Sequence, residues 1–386
     1  MVGAGAFGGW TALHLVRRGA RVTLVDAWGA GNSRSSSGGE SRIIRATYGP
    51  SQPYTKMAAR AMQLWNEHEK RWGANLLHKV GVLWMAATED DDFERGSLPV
   101  LREHEIIHEE LSANEMASRW PQINFDGVRW GIFEPKGGFL RARYACQVVA
   151  KEFVAEGGEF TEAAVLPKGL EKGSKEGLRL SNGSELVADA YVFACGPWLG
   201  QLFPETIGAL IRPTRQEIFF FGPPPGGEFS VAKLPVWGDH RDRFMYGMPA
   251  SDGRGFKVAD DTRGPAFDPS TGDRTVSAEG LQRAREYLGF RFPAMKNAPL
   301  IESRVCQYEN TPDENFIIDQ HPDNQNVWIV GGGSGHGFKH GPALGEMVAD
   351  CVLQGKESDS QFRLSRFASR HASALLSDKT LWPPTQ

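Results

Sequence analysis

A dense run of glycines near the C-terminal end of the chain is the first candidate for chemistry. Five of the seven residues from 331 to 337 are glycine, after a β-type run at 327–330 and before a helical pattern at 343–353. A strand that leads through a glycine turn into a helix brings backbone N–H groups and the positive end of a helix dipole together. That geometry suits an anion, or a ring that becomes anionic. From the glycines alone, an ordinary tight turn explains the pattern equally well.

A second glycine motif opens the chain. Gly3, Gly5 and Gly8 form a GxGxxG pattern, and a helical pattern and an apolar strand ending in Asp26 follow it. In a β–α–β unit these glycines allow a tight turn, the close approach of a pyrophosphate and helix–strand packing, while the acid accepts hydrogen bonds from ribose hydroxyls. The spacing predicts dinucleotide binding, because a simple strand–helix turn explains neither Asp26 nor all three glycines.

Arginines follow a small, polar loop at 29–39, which by composition alone could be a flexible linker. Arg42 and Arg45 flank two isoleucines, a poor linker sequence, and they would share a face if this segment were helical. Each arginine could equally be a solvated surface residue.

Metal and disulfide chemistry is not expected. The four cysteines lack CxxC spacing. His336 and His340 are four residues apart, but the glycines around His336 and a proline at 342 argue against a shared helical face.

The composition excludes several classes of protein. With 386 residues, 40% hydrophobic and 23% charged, the chain has room for two domains or one large α/β body with an inserted layer. A formal net charge of −4 without a basic stripe argues against nucleic-acid binding. No apolar run approaches the roughly 18 residues that would span a membrane. We expect a soluble protein in a reducing cytoplasm, with no nucleic-acid or membrane partner, as a monomer or a small homo-oligomer.

The order of elements predicts an α/β (α+β) fold with a discontinuous organisation. Strand-like segments alternate with glycine- and proline-rich loops at 212–299, which favours a mostly antiparallel sheet, and the acidic segment 89–95 is expected to be mobile. An Asn182-Gly183 pair predicts a hairpin. The predicted division is a Rossmann-like nucleotide domain of residues 1–80, 140–211 and 300–386, with an inserted substrate domain of residues 81–139 and 212–299.

Five segments in order, GAGAFG, LVD, SRIIRATYG, CQYENTPDENFIID and GGGSGHGFK, resemble the sarcosine oxidase-like amine oxidases over nearly the whole length. That family includes monomeric sarcosine oxidase, N-methyltryptophan oxidase, pipecolate oxidase and fructosyl-amino-acid oxidases. The resemblance implies FAD extended across a Rossmann-like domain beneath an antiparallel substrate sheet. It also implies oxidation of an α-amino acid or secondary amine by hydride transfer to flavin N5, giving an imine, with O2 reduced to H2O2.

The resemblance assigns cofactor contacts. Cys306 matches the cysteine that forms a thioether to the flavin 8-methyl group, and Arg42 matches an arginine packed near the flavin. The expected cofactor-binding residues are Gly3, Gly5, Ala6, Phe7, Gly8, Asp26, Ala27, Ser36, Ser37, Arg42, Val165, Ala194, Gly196, Trp198, Cys306, Gly333, Gly335, His336, Gly337, Phe338 and Lys339.

Catalytic roles are implied in the same way. Lys339 and Arg45 match the pair that grips the substrate carboxylate, which would fix the α-carbon over the flavin. Lys257 matches the lysine that activates O2, although by itself it would pass for a surface lysine. Tyr246 and Tyr308 match tyrosines that line the site, although core aromatics would look the same.

Two positions depart from the sarcosine oxidase pattern. Gly38 and Asp261 both stand where that enzyme has a histidine. Loss of one ring opens room, and an acid in the pair Asp260-Asp261 favours a cationic or hydroxyl-rich substrate. Sarcosine is therefore expected to be a poor substrate.

Three other functions fit parts of the pattern. A flavin amine dehydrogenase with a non-oxygen acceptor would share every motif except a functional Lys257. A nicotinamide-dependent dehydrogenase would share GxGxxG and Asp26 but leaves Cys306 and the terminal glycines unexplained. A non-catalytic flavin-binding module gives no reason for Arg45 and Lys339 to occur together with Lys257.

Overall fold

The computed structural model describes residues 1–166 and 177–367. Its α-helices are α1 (Ala6–Arg17), α2 (Gln52–Trp72), α3 (Asp92–Glu103), α4 (Ala113–Arg119), α5 (Ala142–Ala155), α6 (Leu199–Leu202), α7 (Pro204–Ile207), α8 (Ala278–Arg291) and α9 (Gly341–Gln354). Its strands are β1 (Thr23–Asp26), β2 (Ser41–Ile44), β3 (Leu77–His78), β4 (Val82–Ala86), β5 (Glu109–Ser112), β6 (Trp130–Glu134), β7 (Gly138–Arg141), β8 (Glu159–Glu162), β9 (Leu178–Arg179), β10 (Glu185–Leu186), β11 (Tyr191–Phe193), β12 (Arg212–Phe221), β13 (Val236–His240), β14 (Phe244–Met248), β15 (Phe256–Asp260), β16 (Leu300–Asn310), β17 (Ile317–His321) and β18 (Asn324–Gly331).

The N-terminal segment completes a parallel arrangement of strands. β1 pairs with β8 and β11 pairs with β18, both in parallel. Val2 joins the two pairs, because its backbone bridges Val25 on one side and Phe193 on the other. α1 follows at once and packs against α5 and α9. Its approach to α9 requires a glycine, since a Cβ at Gly345 would lie 2.7 Å from the backbone of Trp10. This is the β–α–β unit that the GxGxxG spacing predicts.

A large sheet of mostly antiparallel strands forms the second layer. Its order is β16-β12-β15-β14-β13-β4-β6-β5, and among these pairs β13 and β4 run parallel. The mixed α/β class and the antiparallel sheet were both predicted from the sequence. The division into two domains remains a proposal, and its residues 167–176 and 368–386 lie outside the described ranges.

The large sheet has two different faces. Along a strand successive side chains alternate between faces. Phe219 and Phe221 of β12 pack on one side in a core that includes α8, whereas Ile218 and Phe220 pack on the other side near Cys306. β15 follows the same alternation, and this places Lys257 on the face that carries Cys306.

One segment differs from the sequence-based expectation. Residues 41–44 form strand β2, paired with β7, and not a helix. Arg42 and Arg45 therefore do not share a face, because a spacing of three in extended chain reverses the direction of the side chain. Residues 92–103 form α3, which includes part of the acidic segment 89–95, and the mobility of that segment remains a prediction. That helix is anchored by Glu94, whose Oε1 accepts a hydrogen bond from Trp84 Nε1 at 3.0 Å.

The hairpin around Asn182-Gly183 is present. β9 and β10 pair antiparallel, and Gly183 has φ of 85°, the left-handed conformation that such turns require. Within the described ranges, none of the helices combines the length and apolar character needed to cross a bilayer.

Candidate active site

A cavity of about 320 Å³ runs between the start of α1, the loop at 29–39 and the glycine turn after β18. Many of the residues predicted to bind a cofactor line it. They are Gly3, Gly5, Ala6, Phe7, Asp26, Ala27, Ser36, Ser37, Arg42, Val165, Ala194, Gly196, Trp198, Gly333, Gly335, Gly337 and Phe338, together with Tyr308. Gly8, His336 and Lys339 do not line it, and Cys306 lines a smaller neighbouring cavity.

The N-terminal turn is shaped by close backbone contacts. Gly3 has φ of 97°, and a Cβ there would lie 2.3 Å from the carbonyl oxygen of Ala194. A Cβ at Gly8 would lie 1.8 Å from the carbonyl oxygen of Gly3, so Gly8 allows helix and turn to pack as predicted. Asp26 Oδ2 accepts the N–H of Ala4 at 2.8 Å, and burial raises the pKa of this carboxyl. Asp26 thus fixes the turn and also borders the cavity.

The C-terminal glycine turn approaches two aromatic rings. A Cβ at Gly335 would lie 2.6 Å from the ring of Tyr308, and one at Gly337 would lie 2.7 Å from the ring of Phe7. A 3₁₀ turn, Phe338–His340, separates these glycines from α9. At both ends of the cavity, glycines therefore let the backbone lie closer to neighbouring groups than a side chain would allow. An extended dinucleotide with a flat ring system, such as FAD, fits this cradle.

Glu309 is a residue in this cavity that sequence reasoning missed. It lines the cavity, and its Oε1 has no hydrogen-bond partner among the described residues. Burial raises the pKa of the Glu309 carboxyl to about 7. The sequence contains one signal for this residue, since Glu309 is a charged residue inside a β-type run and follows Tyr308 directly. Its polar atom offers a hydrogen-bonding position to a ligand in the cavity.

Cys306 lies beside two basic groups. Arg42 Nη2 donates to Cys306 Sγ at 3.3 Å. Lys257 lines the same small cavity as Cys306 and donates from Nζ to the carbonyl oxygen of Ser41 at 3.1 Å. Burial, followed by the charge of Arg42, lowers the pKa of Lys257 to about 7. The lysine that would pass for a surface residue in the sequence is only 2% exposed.

Arg45 and Lys339 converge on Tyr48. The Arg45 guanidinium lies 4.5 Å from the centre of the Tyr48 ring and 4.1 Å from that of Trp84, and its Nη1 is buried with no partner among the described residues. Lys339 is 5% exposed and donates from Nζ to Tyr48 Oη at 2.7 Å and to the carbonyl oxygen of His336 at 2.8 Å. Burial, and then the charge of Arg45, holds the pKa of Lys339 well below its usual range.

We call this pair of cations the anion site, because its chemistry suits a negatively charged ligand. Within the described ranges neither Arg45 nor Lys339 has an acidic group close enough for an ion pair, and buried charges are costly when unpaired. A planar carboxylate suits a guanidinium and an ammonium that both lie against the same residue, Tyr48. The geometry therefore favours a ligand carboxylate at Arg45 and Lys339. Arg42 does not join this pair, because in the extended chain its side chain points to the opposite side from that of Arg45.

Asp261 is an acidic residue close enough to the anion site for the charge of Arg45 to act on it. Tyr308 Oη donates to Asp261 Oδ1, and burial raises the pKa of Asp261. Its neighbour Asp260 instead pairs with Arg243 at 2.6 Å, so the structure separates the two acids that the sequence places together. Tyr246 lies near Lys257, whose Nζ is 5.6 Å from the ring centre.

Gly38 leaves no space for a side chain. A Cβ at this position would lie 1.8 Å from the carbonyl oxygen of Asn32, which is backbone and therefore cannot move aside easily. A histidine is excluded at this position unless the loop is rebuilt.

Comparisons with known proteins show the family of this chain and its fold. Residues 1–351 match the family model described as FAD dependent oxidoreductase. Monomeric sarcosine oxidase from Bacillus sp. (strain B-0618) is 31% identical over 379 residues, which cover 96% of each chain. N-methyl-L-tryptophan oxidase from Salmonella arizonae is 27% identical over 380 residues, 95% of this chain and 98% of that one.

Solved structures share the fold. L-proline dehydrogenase from P. horikoshii superposes with a TM-score of 0.83 at 21% identity, covering 96% of this chain and 97% of that chain. Amadoriase I from Aspergillus fumigatus superposes with a TM-score of 0.78 at 22% identity, covering 96% and 90%.

Proposed function

Because the chain belongs to the FAD dependent oxidoreductase family, we propose that it oxidises the C–N bond of an α-amino acid, preferably an N-substituted one, to an imine with O2 as the acceptor. The single observation that carries this proposal is the anion site of Arg45 and Lys339, a half-buried guanidinium with a buried Nη1 and a buried ammonium, neither with an acidic partner in the described ranges. The names of two similar proteins, a sarcosine oxidase and an N-methyl-L-tryptophan oxidase, support a secondary amine that bears a carboxylate.

The cavity residues would hold the cofactor along its length. Gly3, Gly5 and Asp26 would contact its nucleotide half, and the turn at 331–337 its ring system. FAD, when bound, takes up a hydride equivalent from the carbon next to nitrogen and passes two electrons to O2, giving H2O2. Loss of that hydride and of the N–H proton leaves an imine, which water hydrolyses.

The protein supplies orientation and charge. Arg45 and Lys339 would hold the carboxylate, so that the carbon to be oxidised is fixed in place. The free energy of carboxylate binding would thus be used to orient the substrate. Lys257 would supply positive charge where negative charge develops on oxygen. These roles need no dedicated general base if the amine arrives neutral.

The proposed function is tested by comparing acids with their amides. The holoenzyme is mixed anaerobically with N-methyl amino acids and with the corresponding carboxamides, and bleaching of the flavin absorbance is followed. We expect the acids to bleach it and the amides to be about 10²-fold weaker, because charge-assisted hydrogen bonds to both cations are lost. Equal rates with acids and amides would rule out the carboxylate site.

A covalent bond to the cofactor is proposed at Cys306. Arg42 Nη2 donates to the sulfur at 3.3 Å and would hold it in place. Forming the thioether would release the thiol proton and one proton of the flavin 8-methyl group and leave two electrons on the flavin, which O2 would then accept. We expect the yellow colour to stay with acid-precipitated wild-type protein and to pass into the supernatant for Cys306→Ser. Cys351→Ser, which alters a buried cysteine in α9, is the control and should retain the colour. Release of all colour from wild-type protein would refute the thioether.

The second feature that bears on the substrate is Asp261. An acid near the anion site favours an N-substituent that carries hydroxyl groups or positive charge, so sarcosine should be oxidised slowly compared with larger substrates of that kind. For Asp261→Asn we expect kcat/KM for the polar substrates to fall about tenfold, the size of one charge-assisted hydrogen bond, and kcat/KM for sarcosine to change little. Because burial raises the pKa of Asp261, the advantage of cationic substrates should grow as pH rises and the carboxyl ionises. Brisk turnover of sarcosine would contradict this preference.

A further inference from the structure

A buried histidine that the proposed reaction does not use is linked to the carboxylate-binding lysine. Lys339 Nζ donates to Tyr48 Oη at 2.7 Å, and Tyr48 Oη lies 2.8 Å from His340 Nε2. His340 is fully buried, and its Nδ1 has no partner among the described residues. Two consecutive hydrogen bonds thus connect Lys339, Tyr48 and His340, which come from two distant segments of the chain.

The direction of these hydrogen bonds follows from the chemistry of the groups. An ammonium is a donor only, so the oxygen of Tyr48 must accept from Lys339. The proton of Tyr48 must then point elsewhere. In the tautomer that carries the His340 proton on Nδ1, His340 Nε2 at 2.8 Å is a better acceptor than His336 Nδ1 at 3.4 Å. His336 Nε2 is engaged separately, with the carbonyl oxygen of Glu314. The Tyr48 hydroxyl is therefore oriented by His340.

Among the described residues, this orientation leaves one donor of Lys339 without a partner. Two of its three N–H bonds are directed to Tyr48 Oη and to the carbonyl oxygen of His336. The third is available to a ligand beside Arg45. Without an acceptor at position 340, the Tyr48 proton would lose its best partner, and its oxygen would no longer be held toward the ammonium.

We propose that His340, acting through Tyr48, is a positioning residue that keeps Lys339 charged and aimed at the substrate carboxylate. The inference rests on the proposed function, in which Lys339 and Arg45 bind that carboxylate. His340 would touch neither substrate nor cofactor. Its buried, unpartnered Nδ1 is a cost to stability, which is consistent with a role for the other ring nitrogen.

The charged groups that face Lys339 come from several elements. Arg45, after β2, lowers the pKa of Lys339, whereas Asp261, after β15, and Glu134 of β6 raise it less than burial lowers it. Both acids are engaged elsewhere: Glu134 accepts the backbone N–H groups of Ala46 at 2.8 Å and Thr47 at 3.0 Å, and Asp261 accepts from Tyr308.

Three neutral groups also lie near Lys339. Burial lowers the pKa values of the His336 and His340 imidazoles and raises the pKa of Tyr48. Tyr48 and the His336 carbonyl are thus the groups that stabilise the ammonium directly.

The sign of the pH effect follows from this arrangement. A lysine whose pKa is depressed by burial binds a carboxylate at low pH and loses that affinity as pH rises through its pKa. Removing the acceptor of the Tyr48 proton weakens the hydrogen bond to the ammonium, so the pKa of Lys339 falls further. The loss of affinity should then begin at a lower pH.

The test uses the holoenzyme and two small ligands of matched shape. Acetate and the neutral acetamide are titrated against the visible flavin spectrum from mildly acidic to mildly alkaline pH. For His340→Phe we expect acetate to bind about tenfold more weakly near neutral pH, as for loss of one hydrogen bond to a charged group, with acetamide unchanged. The pH at which acetate affinity falls should move down, and His340→Gln, which keeps an acceptor, should restore it in part.

Matched controls separate the possible outcomes. Tyr54 stacks on Tyr48 with ring centres 5.3 Å apart, but its hydroxyl accepts from the backbone N–H of Phe316, so Tyr54→Phe should bind acetate like wild type. An acetate profile for His340→Phe that superimposes on the wild-type profile overturns the inference. If Lys339→Met leaves acetate binding unchanged, the proposed carboxylate site itself is wrong, and the inference falls with it. If His340→Phe does not retain FAD, the acetate titration is repeated with Tyr48→Phe, which removes the same link to Lys339. An acetate affinity profile for Tyr48→Phe that is not shifted in pH overturns the inference.

Discussion

Lys257→Met should slow the reaction of the reduced enzyme with O2 by about 10²–10³-fold, while anaerobic reduction by the amine keeps its rate. The reason is electrostatic. Lys257 is almost fully buried in the small cavity that also holds Cys306, where a fixed positive charge stabilises negative charge developing on oxygen much more than it would in water. Stopped-flow mixing of the reduced enzyme with O2 measures this step alone. Lys233→Met, which removes an exposed lysine, is the control and should react like wild type.

The pH dependence of this step provides a second check. Burial, reinforced by Arg42, lowers the pKa of Lys257 to about 7, so the lysine is charged below that pH and loses its charge as pH rises through it. We expect the rate with O2 to fall across that range in the wild type and to be independent of it in Lys257→Met. If wild-type protein is reduced by an amine but reacts with O2 no faster than the variant, the enzyme is a dehydrogenase with another acceptor.

Lys339→Met should lower kcat/KM for the amino acid substrate by about 10²–10³-fold. A substrate carboxylate would then face Arg45 alone, after losing a buried charge-assisted hydrogen bond, and its carbon would be less well oriented. The rate and concentration dependence of anaerobic flavin bleaching give both kinetic constants. Lys136→Met, at an exposed position, is the matched control.

The amides of the same amino acids sharpen this prediction. They lack the negative charge, so Lys339→Met should affect them far less than the acids. A similar loss for acids and amides would show that Lys339 serves the fold or the cofactor and does not bind the carboxylate.

Local features of this protein were determined by the sequence alone. Gly3 and Gly8 cannot carry a Cβ for reasons of backbone contact, and the GxGxxG spacing predicted the turn correctly. The Asn182-Gly183 hairpin was predicted for a similar reason, because Gly183 takes a positive φ. These features depend on a few consecutive residues, so their patterns carry enough information.

The tertiary structure decided which side chains meet. Arg42 and Arg45 are three residues apart, yet one lies at Cys306 and the other at Tyr48, because β2 is extended. Lys257 is buried because strand alternation turns it away from α8 and toward the cavity. The two acids at 260 and 261 separate for the same reason.

Sequence reasoning missed Glu309, and it considered His340 only as a metal ligand, because the contacts of both residues are with distant parts of the chain. The hydrogen bond between Tyr48 and His340 spans 292 positions in the chain, and Glu309 lines a cavity built from segments at both ends. The glycine turn at 331–337, which by itself could have been an ordinary turn, lies against Phe7 and Tyr308 and leads into Lys339. Residue types set what each group can do, but burial and long-range contacts determine which charges lack an acidic partner among the described residues, and the proposed substrate site rests on two such charges.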